Sequence, residues 1–517
     1  MLITPPTPTV VKAIVAARVL STKNNTLTPP TLPVIASSLQ APAVTATAPL
    51  NTLKDHFELY RMPPGEADSD IKSPPIESGK GNSKEYTQGE TQEAGALSWL
   101  VDSIYNLAGS IWGEKFRPGG NIDLQPFFSE GHSSEMDALA SQVEALSRIP
   151  RYKMIAHLLS TGGSFDFSEQ SGKYNIVSLE GLSRKNAQQV FPMVFAGVTR
   201  LTQDLLQTKG SKGHGEASTW RPLLGRIAEC WDSENSLSGL GQAIYGSGGK
   251  RELSSELEVV PTGWLGYPSG HAVGFVYALE EGEPVIYACN TGNFGDAHRT
   301  IVRYSIADDT LFEEFLRSGD QNDHLIQQFW KSGPKASGLQ RCPEEAQIPL
   351  EIARVRQRRG NCPIAARKSC QLAMMWSLGV RAGLSPVQIK TVYKATTTLL
   401  RGIGVRAALN TEDPRFLGNA MMAMLSKWNR PDCRRDAYRI SDALLKHHGE
   451  PESGLEYSQV SLEELNSETS LGFVKRALEV SKLDLNKTGK GNGRLIDDAR
   501  RYHNHEVVAL FHQLNTK

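Results

Sequence analysis

Met1 to Lys54 contains no Asp or Glu. Across the whole 517 residues no charge of either sign is in excess: Lys+Arg and Asp+Glu both total 56, so there is no global electrostatic case for nucleic acid or an anionic membrane as partner. Cysteine is scarce. Cys230, Cys289, Cys342, Cys362, Cys370 and Cys433 form no CxxC pair, which argues against a disulfide framework and a structural zinc site and leaves reduced thiols as the expectation. No apolar run approaches the roughly 20 residues that cross a bilayer, so no transmembrane segment is expected. No metal and no cofactor is expected either.

What is present suffices for a folded protein of two or three domains, since 39% of the residues are hydrophobic. The first stretch is different. Pro, Thr, Ser and Ala dominate the acid-free tail, its apolar patch Val10 to Leu20 is interrupted by Lys12 and Arg18, and Lys72–Gln92 is rich in Ser, Gly, Lys and Glu. Residues 1–92 are therefore expected to be a disordered tail and not a Sec signal peptide. Such a tail is an inert linker, an organelle transit peptide, or the unfolded leader exported by bacterial needle-type secretion systems. The last of these suits the reading that follows.

Residues 93–255 read as mainly helical. Leu97–Trp112 has apolar residues at helical spacing, which suits core packing, with a membrane-surface or secretion-chaperone docking role as the alternative. Glu135–Arg148 follows Ser133-Ser134 in the manner of an N-cap and is expected to end at Pro150; Arg151–Ser160 and Arg184–Lys209 read as further helices. His132 and His214 stand in Gly/Ser-rich surroundings and read as surface residues.

The period changes near Val259, opening a region 256–405. His271–Leu279, Pro284–Cys289 and Thr300–Ile306 are short runs rich in β-branched and aromatic residues, and the charged loop around Gly282 reads as a hairpin turn. A small antiparallel sheet is expected. Leu311–Trp330 reads as a helix and Lys331–Glu345 as a loop. From 406 to 517, helices are expected at Asp413–Lys427, Arg434–His448, Leu462–Leu485 and Arg494–Leu514, after one at Pro386–Leu400, with a polar hinge at Gly449–Gln459.

The residues with chemistry converge on Gln357-Arg358-Arg359-Gly360-Asn361-Cys362-Pro363. Pro363 suits the first turn of a helix, and Ile364 to Leu378 contains no Gly or Pro, so Cys362 is expected at a helix N-terminus. The helix dipole and nearby Arg358 and Arg359 would there favour the thiolate, the reactive form; the alternative for Cys362 is a small buried apolar residue. His271 opens one strand and Asn290 follows the next, so a hairpin makes them neighbours. The Asn oxygen would fix the imidazole tautomer and leave the other ring nitrogen to take the Cys362 proton. Gln357 could turn its amide toward a developing oxyanion beside the Cys362 N–H. Asp296 is the alternative to Asn290, Cys289 reads as core, and Trp264 either lines a substrate cleft or packs in the core.

The order His271, Asn290, Gln357, Cys362 resembles that of the Ulp1/adenain-type cysteine peptidases and related bacterial effectors, over roughly Thr262–Leu378. Ala272 and Asn361 stand where that group usually has an aromatic and an acidic residue, and the Gln-to-Cys step is one residue shorter. The resemblance implies base, orienting group, oxyanion donor and nucleophile for the four residues in that order. It implies an α+β fold with a papain-like core, here flanked by helical N- and C-terminal extensions. It also implies a secreted protein acting in the host cytoplasm on a host protein substrate, with ubiquitin or ubiquitin-like conjugates as candidates. That group contains proteases, deubiquitinases and acetyltransferases, so substrate and reaction type stay open.

Overall fold

The computed structural model describes residues 133–159, 164–166, 176–178, 182, 184–208, 214–246, 251–252, 255–264, 270–292, 299–353, 362–411, 413–428, 430–450, 468–481, 496, 499–500 and 504–515. The tail 1–92, the amphipathic run Leu97–Trp112, His132 and most of the Gly449–Gln459 segment lie outside the described residues. What is described belongs to one compact unit, 93–517.

In chain order the elements begin with helices α1 (Ser133–Glu144) and α2 (Arg148–Leu158), followed by a two-stranded ribbon of β1 (Ser164–Asp166) and β2 (Ile176–Ser178). Three helices follow: α3 (Arg184–Thr208), α4 (His214–Asp232) and α5 (Leu237–Tyr245). The sheet region holds β3 (Leu257–Trp264), β4 (His271–Glu280), β5 (Glu283–Cys289), β6 (Ile301–Ile306), helices α6 (Asp309–Gly319) and α7 (Asp323–Ser332), and β7 (Leu339–Arg341). After the short α8 (Leu350–Ala353) come α9 (Cys362–Arg381), α10 (Pro386–Leu409), α11 (Pro414–Leu425), α12 (Pro431–His447), α13 (Glu468–Ser481) and α14 (His505–Asn515). The chain is thus α+β, helix-rich around a small antiparallel sheet.

The sheet runs in the order β3-β4-β5-β6-β7, every neighbour antiparallel. Its strands read as apolar runs because both faces are covered. Val273, Phe275, Tyr277, Ile286 and Ala288 face a layer made by α5, α6 and α7, where Phe275 meets Phe315 and Phe329 at ring distances of 5.9 and 5.3 Å. Val259, Val276, Ala278, Tyr287 and Cys289 face the opposite way, into the larger core that α9 shares with the helical layers. Each of the Val, Ile and Phe side chains among these, once buried, stabilises the fold by about 1.5–3 kcal/mol. A two-residue turn joins β4 to β5: Glu281 and Gly282 both have positive φ, 54° and 84°, as a tight hairpin with the right-handed sheet twist requires.

Two strands of this sheet lie outside the three expected from the sequence, as do both strands of the ribbon. β3 carries Pro261, which an edge strand tolerates because its missing N–H faces away from the neighbouring strand. The carbonyl of Val259, two residues earlier and pointing the same way, accepts the N–H of Asn235, at 3.0 Å. β7 lies inside the segment Lys331–Glu345 expected to be a loop. It has no apolar pattern of its own, and Gln347 secures that end of the sheet, accepting the Arg303 N–H at 2.8 Å and donating to the carbonyls of Arg303 and Cys342 at 2.9 Å.

Three helix expectations are corrected. Pro150 does not terminate a helix; it sits in the first turn of α2, where its lack of an N–H is harmless. The single helix expected over Leu311–Trp330 is two, because the Asn322 side chain accepts the N–H groups of His324 and Leu325 and starts α7 afresh. His214 opens α4 instead of lying in a loop.

Candidate active site

At one end of the sheet, β3, β4 and β5 bring three of the singled-out residues together. Trp264 is the register partner of His271, and their rings lie 5.1 Å apart, centroid to centroid. His271 is half-buried; Trp264 and Asn290 are buried. The backbone of β3 comes close here because position 263 is glycine: any side chain at Gly263 would run into the His271 carbonyl.

His271 Nε2 lies 2.8 Å from Asn290 Oδ1, and the same oxygen accepts the Gly292 N–H at 2.9 Å. The second bond sets the amide orientation, so the atom facing the imidazole is the acceptor. Nε2 must therefore donate. In the neutral ring the lone pair is then on Nδ1, the nitrogen that can take a proton from elsewhere. Burial lowers the His271 pKa below its ordinary value, with the bond to Asn290 partly opposing the shift. The imidazole is thus neutral near pH 7. Asn290 is held in turn by its own N–H, which donates to the Thr300 carbonyl at 2.9 Å and continues the β5–β6 pairing by one residue.

Cys362 is the first residue of α9 and is half-buried. The helix lies against β4 and runs in the same direction. Cys370 fills the space that Gly274 leaves by having no side chain, and further on Ser377 donates to Glu280 Oε1 at 2.6 Å and Arg381 to the Leu279 carbonyl at 2.7 Å. From Cys370 back to Cys362 is eight residues, about 12 Å of helix. From Gly274 back to His271 is three, about 10 Å of strand. The thiol and the imidazole accordingly belong to the same end of the sheet. Strand alternation adds a constraint. His271 shares the α5–α7 side with Val273 and Phe275, whereas α9 covers the side of Gly274 and Val276. Because α9 and the His271 side chain lie on opposite faces of the sheet, a thiol at the α9 N-terminus could meet the imidazole only around the strand end.

Gln357 lies outside the described residues, as do Arg358, Arg359, Gly360, Asn361 and Asp296. The segment leading toward them is anchored: buried Arg299 donates to the Ile348 carbonyl and pairs with Glu344. Cys289 is fully buried on the opposite face from Asn290, where burial and the neighbouring Cys370 thiol push its pKa up. Among the described residues no group of His, Cys, Asp and Glu is arranged to hold a metal ion, and no helix is long and apolar enough to cross a membrane. Sequence reasoning passed over Gly263, Gly274 and the Gly292 N–H. A glycine inside a β-type run is the signal that could have marked the first two.

No family model and no curated protein matches the sequence. Among solved structures, the Legionella effector AnkH is similar over 68% of this chain and 69% of its own, at 12% identity and a TM-score of 0.38. That likeness is too slight to carry a fold or an activity across.

Proposed function

We propose that this protein is a thiol hydrolase with a papain-like core, exported by bacteria and acting on an amide or isopeptide bond of a host protein. Cys362 is the nucleophile, His271 the base, Asn290 its orienting group and Gln357 the oxyanion donor. The observation that carries the reading is the bond from His271 Nε2 to an Asn290 oxygen whose orientation the Gly292 N–H fixes. It supplies a neutral imidazole with a defined free nitrogen at the sheet end to which the α9 N-terminus belongs.

In this mechanism Nδ1 of His271 takes the Cys362 proton and the sulfur attacks the carbonyl. The protonated imidazole then returns the proton to the leaving amine, and a thioester remains on Cys362. Water releases the acid. An amine or hydroxyl acceptor would instead make the protein an acyltransferase, and a side-chain carboxamide substrate a deamidase. Export is supported by the acid-free, Ser/Thr/Pro-rich Met1–Lys54. A secretion chaperone on the N-terminal region and ubiquitin-like conjugates as substrate belong to the same reading.

The direct test is a short bifunctional alkylator, 1,3-dibromoacetone, applied to the full chain. Modification of Cys362 followed by intramolecular linkage to His271, read by peptide mass, is expected. Attachment at Cys362 with no linkage to His271 would sink the catalytic pairing. A panel of probes ending in ubiquitin and ubiquitin-like C-termini then separates a deconjugating enzyme from the other outcomes.

A further inference from the structure

α9 meets the sheet through Cys370, and it meets the helical layer through a charge. Arg367, five residues after Cys362, is buried there. Its Nη2 donates to both carboxylate oxygens of Glu234, at 2.8 and 3.2 Å, and its guanidinium lies over the Phe191 ring of α3, 5.1 Å from the centroid. Both partners are nearly shut off from water, with side-chain exposures of 5% and 9%. One helical turn further on, Gln371 continues the same face, accepting the Trp231 indole N–H and donating to Thr199 Oγ1 at 3.2 Å.

Glu234 stands in the corner that follows α4, and the next residue turns to the sheet: Asn235 donates its N–H to the Val259 carbonyl of β3, at 3.0 Å. Two adjacent residues thus hold the helix that bears Cys362 and the strand that ends at Trp264 beside His271. Stability does not account for the pair. Burial raises the Glu234 pKa, with Arg367 opposing the shift, and apolar side chains of similar volume in place of a buried ion pair are often neutral or favourable. What the pair adds over apolar contact is a fixed geometry. A turn of α9 by roughly 15° about its axis would carry a thiol on its first residue by about 1 Å. A displacement of that size can cost a reacting pair about a hundredfold in rate.

We propose that Glu234 is a positioning residue for the nucleophile: acting through Arg367, it sets the rotation of α9 on the sheet and so the approach of Cys362 to His271. This rests on the assignment of Cys362 and His271 as nucleophile and base. The pair then belongs to the site although it lies inside the helical layer, and its removal should uncouple the thiol from the imidazole without unfolding the chain.

The pH profile of Cys362 alkylation by iodoacetamide in the full chain, read by peptide mass, tests this. In the wild type the imidazole takes the thiol proton, so the inflection should lie well below the ordinary thiol value of about 8.5. Glu234→Leu combined with Arg367→Met removes both charges together and strands neither. Its urea midpoint should equal or exceed that of the wild type, while its inflection returns toward about 8.5 and alkylation at pH 6.5 falls roughly tenfold. Arg367→Lys keeps both charges and loses the planar contact with Phe191, so it should shift the profile in the same direction by a smaller amount. A wild-type inflection near 8.5 would overturn the Cys362–His271 pairing and the role of Glu234 with it. A low wild-type inflection shared by the double variant, or by Arg367→Lys should the double variant not fold, would overturn the role of Glu234 alone.

Discussion

Cys370 of α9 occupies the space beside Gly274 of β4 in which any larger residue would place its first side-chain carbon. That one juxtaposition sets how closely the helix bearing Cys362 lies on the strand bearing His271. Gly274→Ala should force α9 outward and cost about 1–3 kcal/mol by overpacking, measured by denaturant unfolding. Combining it with Cys370→Ala should recover part of the loss, since the methyl then has room. A Gly274→Ala variant as stable as the wild type would show that the contact does not set the spacing.

Burial holds the His271 pKa below its ordinary value, and the sign of the resulting pH dependence follows. The unfolded chain binds the proton more readily than the folded one. The stability associated with a neutral His271 is therefore fully present above about 6.5 and is lost as pH falls through the lower folded value. Relative to His271→Leu, the wild type should lose stability between pH 7 and pH 5. NMR titration of the ring in a Cys362→Ala background should place its midpoint below 6.5; a midpoint at or above that value contradicts the assignment.

Replacing Asn290 separates orientation from charge. Asn290→Ala leaves the Gly292 N–H and the imidazole without their shared acceptor and should cost about 1–3 kcal/mol of stability, together with a marked fall in the alkylation rate of Cys362. Asn290→Asp keeps the acceptor and adds a negative charge, which should raise the His271 pKa and move the acid limb of Cys362 reactivity to higher pH. If both variants alkylate with the wild-type pH profile, Asn290 plays no part in the chemistry.

At the far end of the same helix and strand, Glu280 gathers three donors. Tyr287 and Ser377 reach Oε1 at 2.7 and 2.6 Å, and Arg303 reaches Oε2 at 2.9 Å. Glu280→Ala strands a largely buried guanidinium and two hydroxyls, and should cost about 2–4 kcal/mol. Glu280→Gln should cost less, because it keeps one acceptor while losing the charge. Equal losses in the two variants would mean that the hydroxyl contacts contribute nothing.

The sheet was legible where its strands announced themselves. β4 and β5 are apolar runs joined around Gly282, and a hairpin of that pattern makes His271 and Asn290 neighbours. β3 was obscured by Pro261, which reads as a breaker unless the strand is known to be an edge. β7 was obscured because Leu339, Gln340 and Arg341 have no pattern, and their pairing depends on distant Ile306 and Gln347. Gly239 and Gly241 likewise hid α5, whose start is fixed by Ser236 accepting the Gly239 N–H. The roles of Gly263 and Gly274 were not legible either. A close approach is a property of two chain segments, and the sequence displays only one at a time.

The outer edge of β3 bears on how a polypeptide could reach His271. An extended segment that joins a sheet does so by exchanging main-chain hydrogen bonds along an unoccupied margin. On this margin Pro261 has no hydrogen to give and the Val259 oxygen is already engaged by Asn235. Strand addition beside β3 is thereby disfavoured, and a polypeptide bound at this site would meet the sheet end-on. Its selection would rest on side chains and turn backbone around Trp264, His271 and Gly292.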